Sequence, residues 1–289
     1  MSFLNRQTSG SVVCASCGSL VGVRDERCFN CGRRNPGLWG FAPLLRSLGN
    51  DLGFVTLVVW GSGALYIVSL LLSGSDIGMV GGGLFSILAP NIQSVFLLGA
   101  SGAAPVFGLG RWWTIFSASW LHGSLLHIVF NMMWVRDLGP AVADVYGAGR
   151  MIIIYTVAGA CGFLLSSMAG IYLPALPLLR GAQFTLGASA SIFGLLGALV
   201  YYGRRSGSHL VRGTAVRYAV ILGVMGLLMP GVDNFAHAGG FAGGYGIARL
   251  LDPLKPERID HIVLALVCLG ITVASIAASV LSGVNLFLR

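Results

Sequence analysis

The sequence predicts an all-α integral membrane protein with seven apolar spans, preceded by a small cytosolic cysteine module. Three observations carry that prediction. Of 289 residues, 55% are hydrophobic and 10% charged, where a soluble domain carries about 25% charged residues. The apolar residues gather in stretches close to the roughly 20 residues needed to cross a bilayer. Four of the six cysteines stand apart from these stretches, within the first 50 residues.

The cysteine module comes first, over residues 1–36. Cys14-x-x-Cys17 and Cys28-x-x-Cys31 have zinc-ribbon spacing: each pair offers two sulfurs to one ion, and four sulfurs close a tetrahedron. Gly18 and Gly32, just past the second cysteine of each pair, suit tight knuckle turns. A redox pair is the competing reading, but paired motifs with no βαβ pattern around them favour zinc, and a cytosolic location disfavours disulfides. A structural Zn2+ with no open position is expected, so the module is suited to docking a regulatory partner rather than to chemistry. Residues 37–52 read as a linker.

Spans are expected near 53–73, 114–135, 151–172, 187–203, 214–230, 235–251 and 261–283. The first six form a core over 53–251; residues 252–289 supply a linker and the seventh. No cleavable signal peptide is visible, because the apolar run starts only after residue 50. Cys161 and Cys268 fall within spans and read as packing residues. The stretch 77–110 is apolar but interrupted by Gly81-Gly82-Gly83, Pro90, Asn91 and Gln93. It is expected to be an external loop partly in the membrane interface, where Trp112 and Trp113 suit the headgroup boundary.

Charge sets the orientation. With the N-terminus in the cytoplasm, all but Arg111, Arg180 and Arg289 of the 18 Lys and Arg residues fall inside, as the positive-inside rule requires. Counting 77–110 as a span would reverse this. The net charge of +8 therefore signals orientation and contact with the lipid bilayer. A nucleic-acid partner would call for a clustered basic face with aromatics, and none is evident.

Ser189, in Gly187-Ala188-Ser189-Ala190, and His237, followed by Gly240 and Gly244, are polar groups set among small residues on two apolar segments. Polar side chains in hydrocarbon are costly and point to function, and small neighbours let two helices meet closely. If the two helices touch, a nucleophile and a base meet inside the membrane. His127 and Asn131, four apart, stack on one helix face, and both can donate to a developing oxyanion. For each of these residues alone, a polar patch that holds helices together or a lone metal ligand is an equal reading. Gly99-Ala100-Ser101-Gly102 reads much like the Ser189 motif, but Ser101 lies in the interrupted loop and is taken as a decoy. His122-x4-His127 lacks the His-Glu-x-x-His pattern of a zinc protease. Asp137, Asp144 and Asp233 lie in loops or at an edge, so neither an aspartyl pair nor a triad is expected. A transporter would show internal repeats and charge in midmembrane, and neither is visible.

These residues, in this order, resemble the rhomboid family of intramembrane serine proteases from about Trp112 to Gly246. The motifs that carry the resemblance are His122-x4-His127-x3-Asn131, Gly187-Ala188-Ser189-Ala190, and Asn234 to Gly240 with Gly244. It implies a six-helix rhomboid core with one extra C-terminal helix, Ser189 as nucleophile and His237 as general base. It also implies an oxyanion hole of His127, Asn131 and the Ser189 backbone N–H, with His122 in support and no catalytic cofactor. Leu228 to Asp233 should cap the site at a substrate gate. Substrates would be single-span transmembrane proteins, cut near the outer face where helix-weakening residues unwind the chain. Three departures stand out. The family's Trp-Arg pair falls on Trp113-Thr114, with Arg111 displaced. Its turn acid falls on Ala143, beside Asp144. Ala190 follows the nucleophile where glycine is frequent. The alternative is a catalytically silent relative that binds and escorts membrane segments; such a protein would lack the serine or the histidine. The expected location is a bacterial cytoplasmic (inner) membrane, N-terminus inside and C-terminus outside.

Overall fold

A computed structural model describes residues 6–14, 17–43, 49–78, 87–173 and 181–287. Arg46, the Gly81-Gly82-Gly83 run, Arg180 and Arg289 lie outside the described residues. The chain is mostly helical; among the described residues there is one small sheet, in which β1 (Ser11–Val13) pairs antiparallel with β2 (Leu20–Gly22) in the cysteine module.

Among the described residues, eight helices of seven residues or more follow: α1 (Phe54–Ser73), α2 (Ile92–Leu98), α3 (Leu125–Tyr146), α4 (Ala148–Tyr172), α5 (Ser189–Ser206), α6 (His209–Leu228), α7 (Asn234–Leu250) and α8 (Ile259–Phe287). By length and composition, four described stretches can cross a membrane: Phe54–Asp76, Ala148–Tyr172, His209–Leu228 and Ile259–Leu286. The remaining long helices, α3, α5 and α7, carry the polar and glycine-rich motifs and form much of the interior.

Glycine brings α5 and α7 into backbone contact. A Cβ on Gly240 would strike the Ala190 carbonyl, and one on Gly244 would strike Gly194. On the other face of α7, a Cβ on Gly239 would stand 2.9 Å from the Cys161 carbonyl of α4. The three helices pack as the small-residue pattern around His237 anticipates. Cys161 is half-buried and Cys268 buried, both as free thiols.

The second expected span is displaced. Residues 114–135 do not form one helix: Thr114–Ser117 is a single α-turn, Ala118–Trp120 a 3-10 turn, and α3 starts at Leu125. Local hydroxyl bonds explain the break, because Thr114 Oγ1 donates to the Arg111 carbonyl and Ser117 Oγ to those of Thr114 and Gly99. Side-chain bonds of this kind compete with the helix ladder. Ser124 then restarts the chain as N-cap, its Oγ accepting from the His127 N–H. His127 thus sits in the first turn of α3.

The described part of the interrupted stretch has structure of its own. Asn91 caps α2 by accepting from the Ser94 N–H, and residues 101–103 pair with 182–185.

At the opposite end of the bundle, the acid missing from the α3–α4 turn arrives from elsewhere. Asp144 is occupied by Asn50, whose Nδ2 donates to it at 2.5 Å. Glu257, from the segment before α8, accepts from the Arg150 N–H at 2.9 Å and lies against Gly147 and Gly149. Arg150 reciprocates, donating to the carbonyls of Leu251, Asp252 and Lys255. Burial pushes the Glu257 carboxyl up from its ordinary value, against the pull of the Arg150 amide and guanidinium.

Candidate active site and its relatives

The turn before α5 places Ser189 at the first helical position, with Ala188 as N-cap and no side-chain cap bond. The Ser189 hydroxyl is therefore not consumed in capping. Its backbone N–H is one of the four that a helix start leaves unpaired, at the positive end of the dipole. Gly187 makes the turn with φ +124°, a conformation glycine alone adopts readily. The turn is held by the Gly187 N–H, which donates to the Ala118 carbonyl at 2.9 Å.

His127 faces this turn. A Cβ at Gly187 would stand 2.6 Å from His127 Nε2 and 3.8 Å from Ser189 Oγ, so imidazole and hydroxyl share the space the glycine leaves open. His127 Nδ1 accepts from the Gly123 N–H at 3.3 Å. That bond assigns the proton of a neutral ring to Nε2, the nitrogen aimed at the turn.

Asn131 is buried one helical turn further on, its Nδ2 donating to the His127 carbonyl at 2.9 Å. One amide hydrogen remains for another acceptor. His122 is 1% exposed, its ring edge-on to His127 at 5.2 Å, and among the described residues neither ring nitrogen makes a hydrogen bond of good geometry, although the Trp120 backbone lies close. A buried imidazole left so is a natural seat for water.

His237 lies in the first turn of α7. Its ring stacks on Phe193 with centroids 4.2 Å apart and planes 16° from parallel. Nδ1 is buried without a partner, near Gly226 of α6. Phe193 is four residues after Ser189, one turn down the same face of α5. The spacing that put Phe193 there was readable in the sequence, but an aromatic at helical spacing reads first as core.

Asp233 does not approach the His237 ring as a third triad member would. It is the N-cap of α7, accepting from the Ala236 N–H at 3.0 Å, and its other oxygen accepts from Ser166 Oγ of α4 at 2.5 Å. Ser101 is fully buried. Its backbone pairs with Thr185, and its Oγ accepts from Thr114 Oγ1 at 3.3 Å.

In the cysteine module, the ligand atoms of Cys14, Cys17, Cys28 and Cys31 all lie within 4.8 Å of one another. The Sγ separations are 3.8 Å for Cys14–Cys31 and 3.6 Å for Cys17–Cys28. Tetrahedral sulfurs at a Zn–S bond of about 2.3 Å would be about 3.8 Å apart. Gly18 and Gly32 both have positive φ, +77° and +72°, and their N–H groups donate to the Cys14 and Cys28 carbonyls. Four cysteines thus form two matching knuckles that can hold one metal ion.

Residues 109–253 match the Rhomboid domain family. Rhomboid protease GluP of Bacillus subtilis is 30% identical over 182 residues, 62% of this chain and 34% of its own length. RHOMBOID-like protein 7 of Arabidopsis thaliana is 34% identical over 176 residues, 57% of this chain and 51% of its own. Rhomboid-like protease 3 of Toxoplasma gondii is 26% identical over 200 residues, 66% of this chain and 67% of its own. The chain thus spans about a third to two thirds of the length of these relatives. With apolar helices of membrane length and a family match over half its residues, this multi-pass integral membrane protein belongs to the rhomboid family.

Proposed function

We propose that this protein is an intramembrane serine endopeptidase in which Ser189 is the nucleophile and His237 the general base. The observation that carries the reading is the Gly187 turn, where the Ser189 hydroxyl and the proton-bearing Nε2 of His127 border one space. Relatives named as proteases support it.

In the reaction, Ser189 Oγ attacks the scissile carbonyl carbon while its proton passes to His237. His237 Nδ1 is buried near Gly226, so Nε2 is the nitrogen that accepts it. The carbonyl oxygen gains charge and is met by the Ser189 N–H, His127 Nε2 and the free hydrogen of Asn131. His237 returns the proton to the departing amine, leaving an acyl-serine. Water beside the buried His122 ring then attacks the acyl carbon as His237 takes its proton, and the acyl–Oγ bond breaks as His237 passes that proton to Ser189 Oγ, releasing the carboxyl product and restoring the enzyme.

The substrate in this reading is a single-span membrane protein, cut near the outer face where its helix is weak. Helix α6 buries only Ala215 and Gly226 and is the side that can part to admit it. The chain crosses the membrane seven times, through α1, α3, α4, α5, α6, α7 and α8, with the N-terminus and a zinc-bearing module of residues 1–36 on the cytoplasmic side. A bacterial cytoplasmic membrane suits this arrangement.

The test is cleavage of a single-span protein reconstituted with the full chain in liposomes. Wild type should yield a product cut near the outer end of the span, and Ser189→Ala none. Equal cleavage by both would overturn the assignment.

A further inference from the structure

The outer half of α8 carries buried hydroxyls that the reaction does not use. Thr272, Ser275 and Ser279 are 3%, 3% and 0% exposed, and their spacing puts them on one face. Thr272 bonds its own helix at the Cys268 carbonyl. The two serines instead bond another part of the chain. Ser275 Oγ donates to the Trp113 carbonyl at 2.5 Å, and Ser279 Oγ accepts from Trp113 Nε1 at 3.1 Å. The Ser279 carbonyl accepts from Arg111 Nη2 at 2.8 Å.

Arg111 is 1% exposed. Its Nη1 donates to the Phe96 carbonyl at 3.1 Å, and the guanidinium lies 4.0 Å from the Phe96 ring centre. The same arginine therefore joins α8 to the end of α2. Glycines make the approach close: a Cβ on Gly99 would stand 2.8 Å from Ser279 Oγ, and one on Gly283 2.7 Å from Leu97 Cδ1.

From there the path to the nucleophile is short. Residues 101–103 pair with 182–185 through Ser101 N–H to the Thr185 carbonyl (2.9 Å), Thr185 N–H to that of Ser101 (2.8 Å) and Ala103 N–H to that of Ala182 (2.9 Å). Two residues beyond Thr185 is Gly187, whose turn presents Ser189.

We propose that Ser275 and Ser279 are positioning residues for the catalytic turn. Through Arg111 and Trp113, α8 fixes the 96–113 segment, that segment fixes 182–185, and these residues fix the turn at Gly187. The eighth helix is then part of the active-site scaffold. The inference rests on Ser189 being the nucleophile. A small misplacement of a reacting group is costly in rate even when binding is intact.

The test compares the full-length Ser275→Ala/Ser279→Ala variant with wild type, and with Val273→Ala on the exposed face of the same helix. A Trp113→Phe variant removes the indole donor to Ser279 from the other side. The expected result is a kcat about tenfold lower for both clamp variants, with KM and the folded fraction unchanged. Hydrogen exchange should also be faster at the Ser101, Ala103 and Thr185 amides, while Val273→Ala matches wild type in both. A kcat within twofold of wild type together with unchanged exchange would overturn the proposal. If wild type proves inactive, the nucleophile assignment fails separately, and the exchange at these amides alone decides whether α8 fixes the turn.

Discussion

The His237 imidazole lies flat on the Phe193 ring, with the centroids 4.2 Å apart, and Phe193 is one helical turn below Ser189. The aromatic face holds the imidazole, the proposed base, in one plane relative to the helix that carries Ser189. Replacing Ser189 or His237 by alanine should abolish cleavage. Phe193→Ala should leave the base present but loose, lowering kcat by about tenfold and stability by about 3 kcal/mol through the cavity left behind. Steady-state kinetics with thermal unfolding separate the two effects.

The oxyanion donors make a second prediction. Because His127 Nδ1 is committed to the Gly123 N–H, only Nε2 can donate toward the site. His127→Ala and Asn131→Ala should each lower kcat by about 10²–10³-fold with little change in KM. A change confined to KM would place these side chains in substrate binding instead.

Gly187 is constrained twice, by φ +124° and by His127 Nε2 standing 2.6 Å from where a Cβ would be. Gly187→Ala should lower activity at least about 10²-fold by displacing the turn, while the helical content by circular dichroism stays that of wild type.

Glu257 allows a pH prediction. Its carboxyl is raised in the folded protein from an ordinary value of 4.5, so it contributes most stability below that value and loses the contribution as pH rises through the folded value. Glu257→Gln keeps an acceptor for the Arg150 N–H without the charge. Its melting temperature relative to wild type should therefore rise between pH 5 and pH 8. Glu257→Ala leaves the buried donors unpaired and should be less stable by about 1–3 kcal/mol.

The cysteine module should bind one metal ion per chain. Elemental analysis of the purified protein should find zinc near one equivalent, and Cys14→Ser or Cys28→Ser should lose most of it. Active-site reactivity should change by less than about twofold, because a closed four-sulfur site takes no part in the chemistry.

Much of this was legible in the sequence because polar residues in apolar segments are few and each demands a reason. The knuckle cysteines, the glycines facing α5 and α7, and the starts of α5 and α7 at Ser189 and Asn234 follow from local pattern. The start of α3 was misjudged because Ile115, Phe116, Trp120 and Leu121 keep 114–124 apolar enough to read as part of the span, while the break is made by hydroxyls bonding nearby carbonyls. Glu257 and Arg111 were beyond local reasoning. Each acts on a segment roughly a hundred or more residues away, and no periodicity records which carboxylate will reach which helix end. Phe193 stands out by nothing in the sequence but helical spacing, and it packs against the His237 ring.

The central claim is that Ser189, and not the similar Ser101, is an activated nucleophile. The most direct measurement is to label the detergent-purified protein with a fluorophosphonate and locate the adduct by peptide mass spectrometry, alongside Ser189→Ala, Ser101→Ala and His237→Ala. The account predicts an adduct on Ser189 that persists in Ser101→Ala and disappears in His237→Ala. An adduct elsewhere, or undiminished labelling without His237, would contradict it.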